Sequence, residues 1–572
     1  MSAPIGDDDR LESWKEIAAY LGREVRTVQL WEKSEGLPIH RHQHARQGSV
    51  YASKVELDAW REARKNSAVP AAPPKSRKIA ILAGIAVLAI AIAAVFFFKD
   101  RKPSGELPSA VAVLPFLDLS PQKDSEYFSD GLTEEVIDAL SRVPNLRVVA
   151  RTSAFAFKGK DTDIRQIGKQ LNVNAVIEGS VRRSGDRLRI TAQLNRVSDG
   201  YHMWSRTYDR ELRDVFAVQR EISQSIANEL RAGQIPDRPR QPTKDLEAYR
   251  LYQEAKYFFN KFEPPDSNYK AIERYKQAIA RDQNFAAAYA GMADAYSYLA
   301  ENFVIAPREV MPKAKEAAAK ALELDPNSAE AHTSLGIVKL DYERDREGGQ
   351  QEFLRALQLN PGFGWARHWY AHSLESQERM EDALREMRAS FDLDPLSAPI
   401  SWDIAGELIS LTRYKEAMSL LDNAIDLFPG IPTFEFMKVF ALYRTGNLNA
   451  GRAIVEPLKK RSDFLQDPSY VSMFAAQAAH DGKVSEARHW IAEVERIGKK
   501  QYVEPFLLIE ACNALKDRRQ LMALLHRADE ERSPFFVYRR AYAPYWGLTP
   551  DVLDELDRGH HDEITSSARP SP

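Results

Sequence analysis

Basic and amide side chains recur at short intervals between residues 23 and 47. A predicted helix over residues 25–33 follows Gly22 and carries several of them on its outward face. Guanidinium, ammonium and amide groups near the start of an exposed helix can contact the phosphates and base edges of duplex DNA. The candidate DNA contacts are Arg23, Arg26, Thr27, Gln29, Lys33, Arg41, His42 and Arg46.

Three short helices and a two-stranded hairpin must position these side chains. Ser13, followed three residues later by Glu16, is a capping-box pattern that begins the first helix, and Gly22 ends that helix. The hairpin precedes a third helix over residues 53–65, which closes the predicted core. We therefore predict a folded module over residues 1–66.

The stretch WKEIAAYLGREVRTVQLWEKSEGLPIHRH resembles the winged helix-turn-helix domains of the MerR/excisionase type, over about residues 11–65. The resemblance implies that the second helix enters the major groove of DNA. Leu30 departs from it, since relatives often have a basic residue there. Acidic residues at 7–9 and Glu12 nearly balance the module's charge, so we expect DNA binding by a homodimer. A three-helix protein-binding module is the alternative interpretation.

His40, His42 and His44 alternate, so on a strand the three imidazoles would share one face. Three imidazoles can hold Zn²⁺ or Cu²⁺. No cysteine or carboxylate nearby completes such a site, so a weakly basic wing strand is the favoured interpretation. The sequence predicts no metal and no cofactor.

The composition excludes several classes of protein. Lys+Arg is 79 and Asp+Glu is 82, a net charge of −3, so the chain does not coat nucleic acid by bulk charge. Hydrophobic residues make up 44%, which is typical of globular proteins. Cys512 is the single cysteine, which excludes an intramolecular disulfide and a Cys-based zinc site.

Residues 79–98 read IAILAGIAVLAIAIAAVFFF, an uncharged segment of twenty residues. A helix of that length spans about 30 Å, the thickness of the bilayer's hydrocarbon core. A Pro/Ala linker over 67–78 precedes it. Six nearby Lys and Arg residues on its N-terminal side, against three on its C-terminal side, favour a cytoplasmic N-terminus. We predict a single-pass protein of the inner (cell) membrane, with the C-terminal region extracytoplasmic and, in a Gram-negative cell, periplasmic.

Residues 109–233 have the strand and helix order of a small α/β domain. They resemble the TolB N-terminal-like (FlgO-like) domain through VAVLPF, EYFSDGLTEEVIDALSR and AVIEGSVRRSGDRLRITAQL. The resemblance implies a role in binding a ligand or partner. The domain contains neither a visible nucleophile–base set nor a GxxxxGK[ST] phosphate loop, so the sequence predicts that the protein is not an enzyme.

Residues 244–545 repeat with a period close to 34. Pro326, Pro361, Pro395 and Pro429 mark the period, and small residues recur before each proline. The period and the alanines resemble tetratricopeptide repeats (TPR), which implies a groove for a peptide or protein partner. About seven to nine helix pairs are expected, followed by a C-terminal tail over 546–572.

Together these modules predict a multidomain, mainly α protein: a winged helix-turn-helix, one transmembrane helix, a small α/β domain and a TPR α-solenoid. In plan it resembles bacterial membrane-bound one-component transcription regulators. Its predicted partners are double-stranded DNA, the lipid bilayer through residues 79–98, a peptide or protein in the TPR groove, and a second copy of the chain. A membrane-anchored TPR scaffold of the cell envelope, without a DNA-binding role, is the alternative.

Overall fold

The computed structural model describes residues 9–41, 50–66, 109–121, 126–232, 243–261 and 265–567. The chain divides into two compact units, residues 1–105 and 106–572. In the described ranges, every helix is too short or too polar to cross a membrane. The predicted transmembrane segment at 79–98 and the linker at 67–78 lie outside those ranges.

Within residues 9–41 and 50–66, the N-terminal unit contains three helices and three short strands. The strands form an antiparallel sheet in the order β1-β3-β2, with Arg10 opposite Ser53 and His40 opposite Tyr51. Its described elements are β1 (Arg10–Leu11), α1 (Trp14–Leu21), α2 (Val25–Glu35), β2 (His40–Arg41), β3 (Val50–Ser53) and α3 (Lys54–Asn66).

The predicted helix start at Ser13 is confirmed. The Ser13 hydroxyl accepts a hydrogen bond from the backbone N–H of Glu16, and Gly22 ends α1 with a φ of 63°. Ile17, Val28 and Leu57 are fully buried and form the core of the unit.

The second unit begins with a mixed sheet in the order β6-β4-β7-β8-β9, with β5 also paired to β7. The strands β4, β5, β6 and β7 pair in parallel, and β7, β8 and β9 pair antiparallel. The elements are β4 (Ala110–Val113), β5 (Leu117–Asp118), α4 (Glu126–Ser141), β6 (Arg147–Val148), α5 (Arg151–Phe155), α6 (Ile164–Gln170), β7 (Ala175–Ser184), β8 (Arg187–Arg196), β9 (His202–Glu211) and α7 (Val215–Glu229).

Strand β4 is buried on both faces, which explains why its sequence is apolar throughout. Val111 and Val113 belong to one hydrophobic cluster, and Ala110 and Ala112 belong to another on the opposite face. Successive side chains of a strand point to opposite faces, so a strand covered on both sides must be continuously apolar.

Helix pairs occupy the rest of the unit, and the predicted TPR-like repeats are confirmed, with eight pairs in the described residues. The pairs are α8 (Leu246–Phe259) and α9 (Asp266–Arg281); α10 (Ala286–Glu301) and α11 (Pro307–Leu324); α12 (Ala329–Ile337, continued by the π-helical Val338–Glu343) and α13 (Arg346–Leu359); α14 (Gly364–Glu375) and α15 (Met380–Leu393); α16 (Ala398–Ser410) and α17 (Tyr414–Leu427); α18 (Pro432–Arg444) and α19 (Leu448–Leu458); α20 (Pro468–His480) and α21 (Val484–Gly498); and α22 (Ile509–Ala514) and α23 (Arg518–Glu530).

The residues that carry the repeat have clear physical roles. Each of the four periodic prolines stands two residues beyond the end of a second helix, where it prevents the helix from continuing. The small residues five positions earlier are buried, which allows neighbouring helices to approach closely. They are Ala321, Ala356, Ser390 and Ala424.

The α/β domain packs against the repeats within one compact unit. The backbone N–H of Ala150 donates to the carbonyl of Leu393 at 2.7 Å, and the Arg147 guanidinium donates to the carbonyl of Asp392 at 2.7 Å. Residues 234–242, a proline-rich segment between the α/β domain and the repeats, lie outside the described residues. The contacts above are made by residues of the α/β domain and of the repeats.

The C-terminal boundary differs from the predicted one. The sequence predicts a tail over 546–572, whereas the structure has α24 (Ala543–Trp546) and α25 (Pro550–Ser567). Val552, Leu553 and Leu556 of α25 are buried in the core of the last repeats. The helix is therefore part of the array, because its apolar face covers residues that would otherwise meet water.

Candidate functional site

Helix α2 of the N-terminal unit carries four of the eight predicted DNA contacts, and Arg23 lies in the turn before it. Arg23, Arg26 and Lys33 are exposed, and Thr27 and Gln29 are half-buried. Leu30 is 60% exposed and lies on the same outward side as Arg26 and Lys33. Spacings of three and four residues place these side chains on one helix face. The outward face is therefore basic at both ends and apolar between them.

The predicted wing is described only in part. Arg41 is exposed on β2, and its guanidinium forms an ion pair with Glu32 of α2 at 2.7 Å. His42 and Arg46 lie outside the described residues. His40 contacts the Glu56 carboxylate at 2.8 Å and stacks on Tyr51, with ring centroids 5.1 Å apart.

The polar residues of the α/β domain form ion pairs. The Asp130 carboxylate binds the Lys158 ammonium at 2.6 Å. Glu134 binds Arg151 at 2.5 Å and Lys256 at 2.7 Å, which links α4 to the first repeat. Burial would raise the pKa of Glu134, but the charges of Lys256 and Arg151 outweigh it and lower that pKa. These groups hold the domain against the repeats.

A cavity of about 130 Å³ opens on the inner side of the helical array, among the first helices of successive pairs. Helices α14, α16, α18 and α20 contribute to its walls, and the segment after α23 closes it. Aromatic rings dominate its lining, which suits it to an apolar or aromatic group. Six of the aromatic residues are Trp402, Phe436, Phe440, Phe506, Tyr542 and Trp546.

One wall of this cavity is polar and buried. His372 and Glu375 of α14 and Asp403 of α16 line it. The Nδ1 atom of His372 lies 2.7 Å from a Glu375 carboxylate oxygen, whose other oxygen accepts a hydrogen bond from the Tyr542 hydroxyl at 2.9 Å. His368, one helical turn before His372, contacts Asp403 at 2.7 Å through Nε2.

The buried charges set the pKa values in this wall. Burial would lower the pKa of His372, but the charges of Glu375 and Asp403 outweigh it and hold that pKa well above its usual value. Burial would raise the pKa of Asp403, but His372 and the imidazole hydrogen bonds lower it to about 2. Burial, then the charge of Glu375, raises the pKa of Glu407 well above its usual value.

Sequence reasoning missed this polar wall. The available signal is the spacing HWYAH, which places His368 and His372 four residues apart on one helix face. Asp403 lies one repeat further along the chain, and only the stacking of the pairs brings it to the same point. His368, His372 and Asp403 are the residues in the described ranges best placed to hold a metal ion.

Comparison with known proteins finds partial relatives. No protein-family model matches the chain. "Putative adenylate cyclase 3" of Rhizobium meliloti is 36% identical over 244 residues, 41% of this chain and 41% of that protein. "Transcriptional regulator HilA" of Salmonella typhimurium is 24% identical over 292 residues, 50% of this chain and 51% of that protein. The chain thus spans about half or less of the length of these relatives.

Solved structures with similar helical arrays share little sequence with the chain. Human IFIT1, solved as a dimer with a capped RNA, covers 61% of this chain at 13% identity with a TM-score of 0.40. The TPR protein TTC0263 of Thermus thermophilus covers 34% of this chain at 14% identity with a TM-score of 0.30.

The prediction that the protein is not an enzyme is wrong by this comparison. A relative that is 36% identical over 244 residues has the name of an adenylate cyclase. The prediction rested on the absence of a nucleophile–base set and a phosphate loop in the sequence, and neither is a requirement of every enzyme.

Proposed function

We propose that the chain is a membrane-anchored transcription regulator. Its N-terminal unit binds duplex DNA, and its α/β and helical-repeat unit binds a peptide or protein partner. The observation that carries the proposal is the outward face of α2, the helix that follows the tight turn at Gly22. On that face Arg26 and Lys33 lie two helical turns apart, with Leu30 between them. The similarity to a transcriptional regulator over half of the chain supports it.

In this proposal α2 enters the major groove. Arg23, Arg26, Thr27, Gln29 and Lys33 contact bases and phosphates. Arg41, His42 and Arg46 reach the backbone from the wing. One copy supplies few net positive charges, so two copies bind together as a homodimer on half-sites about one helical turn apart.

The membrane and the partner complete the proposal. Residues 79–98 cross the bilayer as a single apolar helix, with the N-terminus in the cytoplasm and the repeats on the other side. The aromatic cavity of the array takes an apolar or aromatic group of a peptide or protein partner. Partner binding changes the spacing of the two DNA-binding units, and so the affinity for paired half-sites.

A selection from genomic DNA fragments tests the DNA-binding role. The full chain in detergent should enrich specific duplexes. The double variant Arg26→Ala/Lys33→Ala should bind these duplexes more weakly. The dependence of its affinity on salt concentration should fall by an amount that corresponds to up to about two phosphate contacts. Arg61→Ala, which removes an exposed charge from α3, is the matched control and should bind normally. If no fragment is enriched, or if the control binds as weakly as the double variant, the proposal fails.

A second candidate function is the cyclisation of ATP, because of the relative with a cyclase name. The full chain, incubated with ATP and Mg²⁺, should then release cyclic AMP and pyrophosphate. The assay separates two explanations of the similarity: a shared catalytic segment gives product, and a shared non-catalytic segment gives none.

A further inference from the structure

Three side-chain atoms converge in the polar wall of the cavity. The Nε2 atoms of His368 and His372 are 3.1 Å apart, and one Asp403 oxygen lies 2.7 Å from the first and 3.6 Å from the second. Ligands at 2.0–2.1 Å from a tetrahedral Zn²⁺ are about 3.3 Å from each other. The triangle has the dimensions of a two-histidine, one-carboxylate site.

When both imidazoles are neutral, protons alone do not satisfy these three atoms. If His368 Nε2 donates its proton to Asp403, the lone pair of His372 Nε2 has no donor in the triangle. If His372 Nε2 donates to His368 Nε2, the lone pairs of His368 and Asp403 meet at 2.7 Å. In that second case the proton of His368 lies on Nδ1, which is buried and has no hydrogen-bond partner in the described part of the chain. A cation that accepts all three lone pairs removes both conflicts.

The surroundings also suit a metal ion. The Nδ1 atom of His372 lies 2.7 Å from Glu375, and Tyr542 donates to that carboxylate. A carboxylate on the second nitrogen of a ligating imidazole fixes the ring and leaves Nε2 for the metal. His372 and Asp403 also line the cavity, which provides an entry path and a free coordination position.

We propose that His368, His372 and Asp403 bind one divalent transition-metal ion, with Zn²⁺ as the natural probe, and that its open position faces the aromatic cavity. This site shares no residue with the predicted DNA contacts or with the alternating histidines of the wing. It would bridge α14 and α16, and so stiffen two adjacent repeats.

Equilibrium dialysis of the full chain against Zn²⁺ tests the site. We expect one Zn²⁺ per chain in the wild type, and at least a tenfold loss of affinity in His368→Gln and in His372→Gln. His480→Gln is the matched control, because His480 also contacts a buried glutamate, Glu510 at 2.7 Å, and it should retain the ion. Retention by the His368→Gln and His372→Gln variants would overturn the proposal, as would the absence of binding in the wild type.

If the His368→Gln and His372→Gln variants fail to fold, the variant H40Q/H42Q/H44Q still tests the proposal. It removes the alternating histidines of the wing, and it should still bind one ion. X-ray absorption of its zinc complex should show two imidazoles and oxygen ligands at about 2.0–2.2 Å. Loss of the ion from this variant would place the zinc in the wing and overturn the proposal.

Discussion

Asp394 accepts a hydrogen bond from the backbone N–H of Ser153 at 3.0 Å, across 241 residues of sequence. The contact joins α5 of the α/β domain to the residue that ends α15 of the fourth helix pair. Burial raises the pKa of Asp394 from 3.8 to about 6, despite the hydrogen bonds from Ser153. The carboxyl group therefore links the contact between the two folded parts to pH.

The pH dependence of unfolding should report this group. The folded pKa lies above the unfolded value, so the stability that depends on the neutral acid is present below about pH 4. It is lost as the pH rises towards 6, at up to about 1.4 kcal/mol per pH unit. Urea unfolding should be measured from pH 4 to 8. Between pH 4 and 6 the free energy of unfolding of Asp394→Asn should rise relative to that of the wild type. Above pH 6 the two free energies should change with pH in parallel. Asp392→Asn, an exposed neighbour, is the control and should follow the wild type. Parallel curves for Asp394→Asn and wild type below pH 6 would contradict the prediction.

The ion pair between Glu134 and Lys256 should be strongly coupled. Glu134 is 8% exposed, and burial would lower the pKa of Lys256, but the Glu134 charge raises it well above its usual value. Glu134→Gln removes the counter-charge of the Lys256 and Arg151 side chains, which are 23% and 19% exposed, and should cost at most about 3–5 kcal/mol of unfolding free energy.

A double-mutant cycle with Lys256→Met measures that coupling. The double variant should cost less than the sum of the two single variants, by about 0.5–3 kcal/mol. Asp463→Asn breaks an exposed pair with Arg461, in which both side chains are 58% exposed, and should leave the unfolding free energy close to that of the wild type. Strict additivity at Glu134 and Lys256 would show that the pair is not coupled.

Gly179 of β7 should not tolerate a side chain. An alanine Cβ there would lie 2.6 Å from the carbonyl oxygen of Thr191 and 2.7 Å from the ring of Phe116. Backbone and a packed ring cannot both move away, so Gly179→Ala should destabilise the chain by about 1–3 kcal/mol. Gly364→Ala places its Cβ 3.5 Å from the Cβ of Leu393, an ordinary van der Waals distance, and should change stability by less than about 0.5 kcal/mol. Equal urea midpoints for the two variants would refute this reasoning.

The proposed topology predicts the behaviour of reporter fusions. A reporter that is active only in the periplasm should be active when fused after Pro242 and silent when fused after Lys65. The reason is that the twenty uncharged residues between these points are long enough, as a helix, to span a bilayer, with more positive charge on their N-terminal side. A cytoplasm-active reporter at the same two positions is the control and should give the reverse pattern. The same activity at both positions would rule out the membrane crossing.

Much of the fold could be read from local patterns. The capping residues Ser13 and Glu16, the alternation of β8 and the periodic prolines each act within a few residues, so their effects are visible in the sequence. Helix α25 was harder to predict, because its polar surface resembles a tail. The packing of Val552 and Leu556 against earlier repeats stabilises it, together with ion pairs such as that of Arg540 with Asp554.

The sequence by itself determined the helix pairs, the succession of strands and helices along the α/β domain and the position of the basic helix in the N-terminal unit. The tertiary structure alone decided where His368 and His372 meet Asp403, and where Ser153 meets Asp394. The physical reason is distance along the chain. Periodic burial and capping depend on neighbouring residues, whereas a convergent site depends on the small rotation between repeats, which accumulates from packing that no short segment encodes.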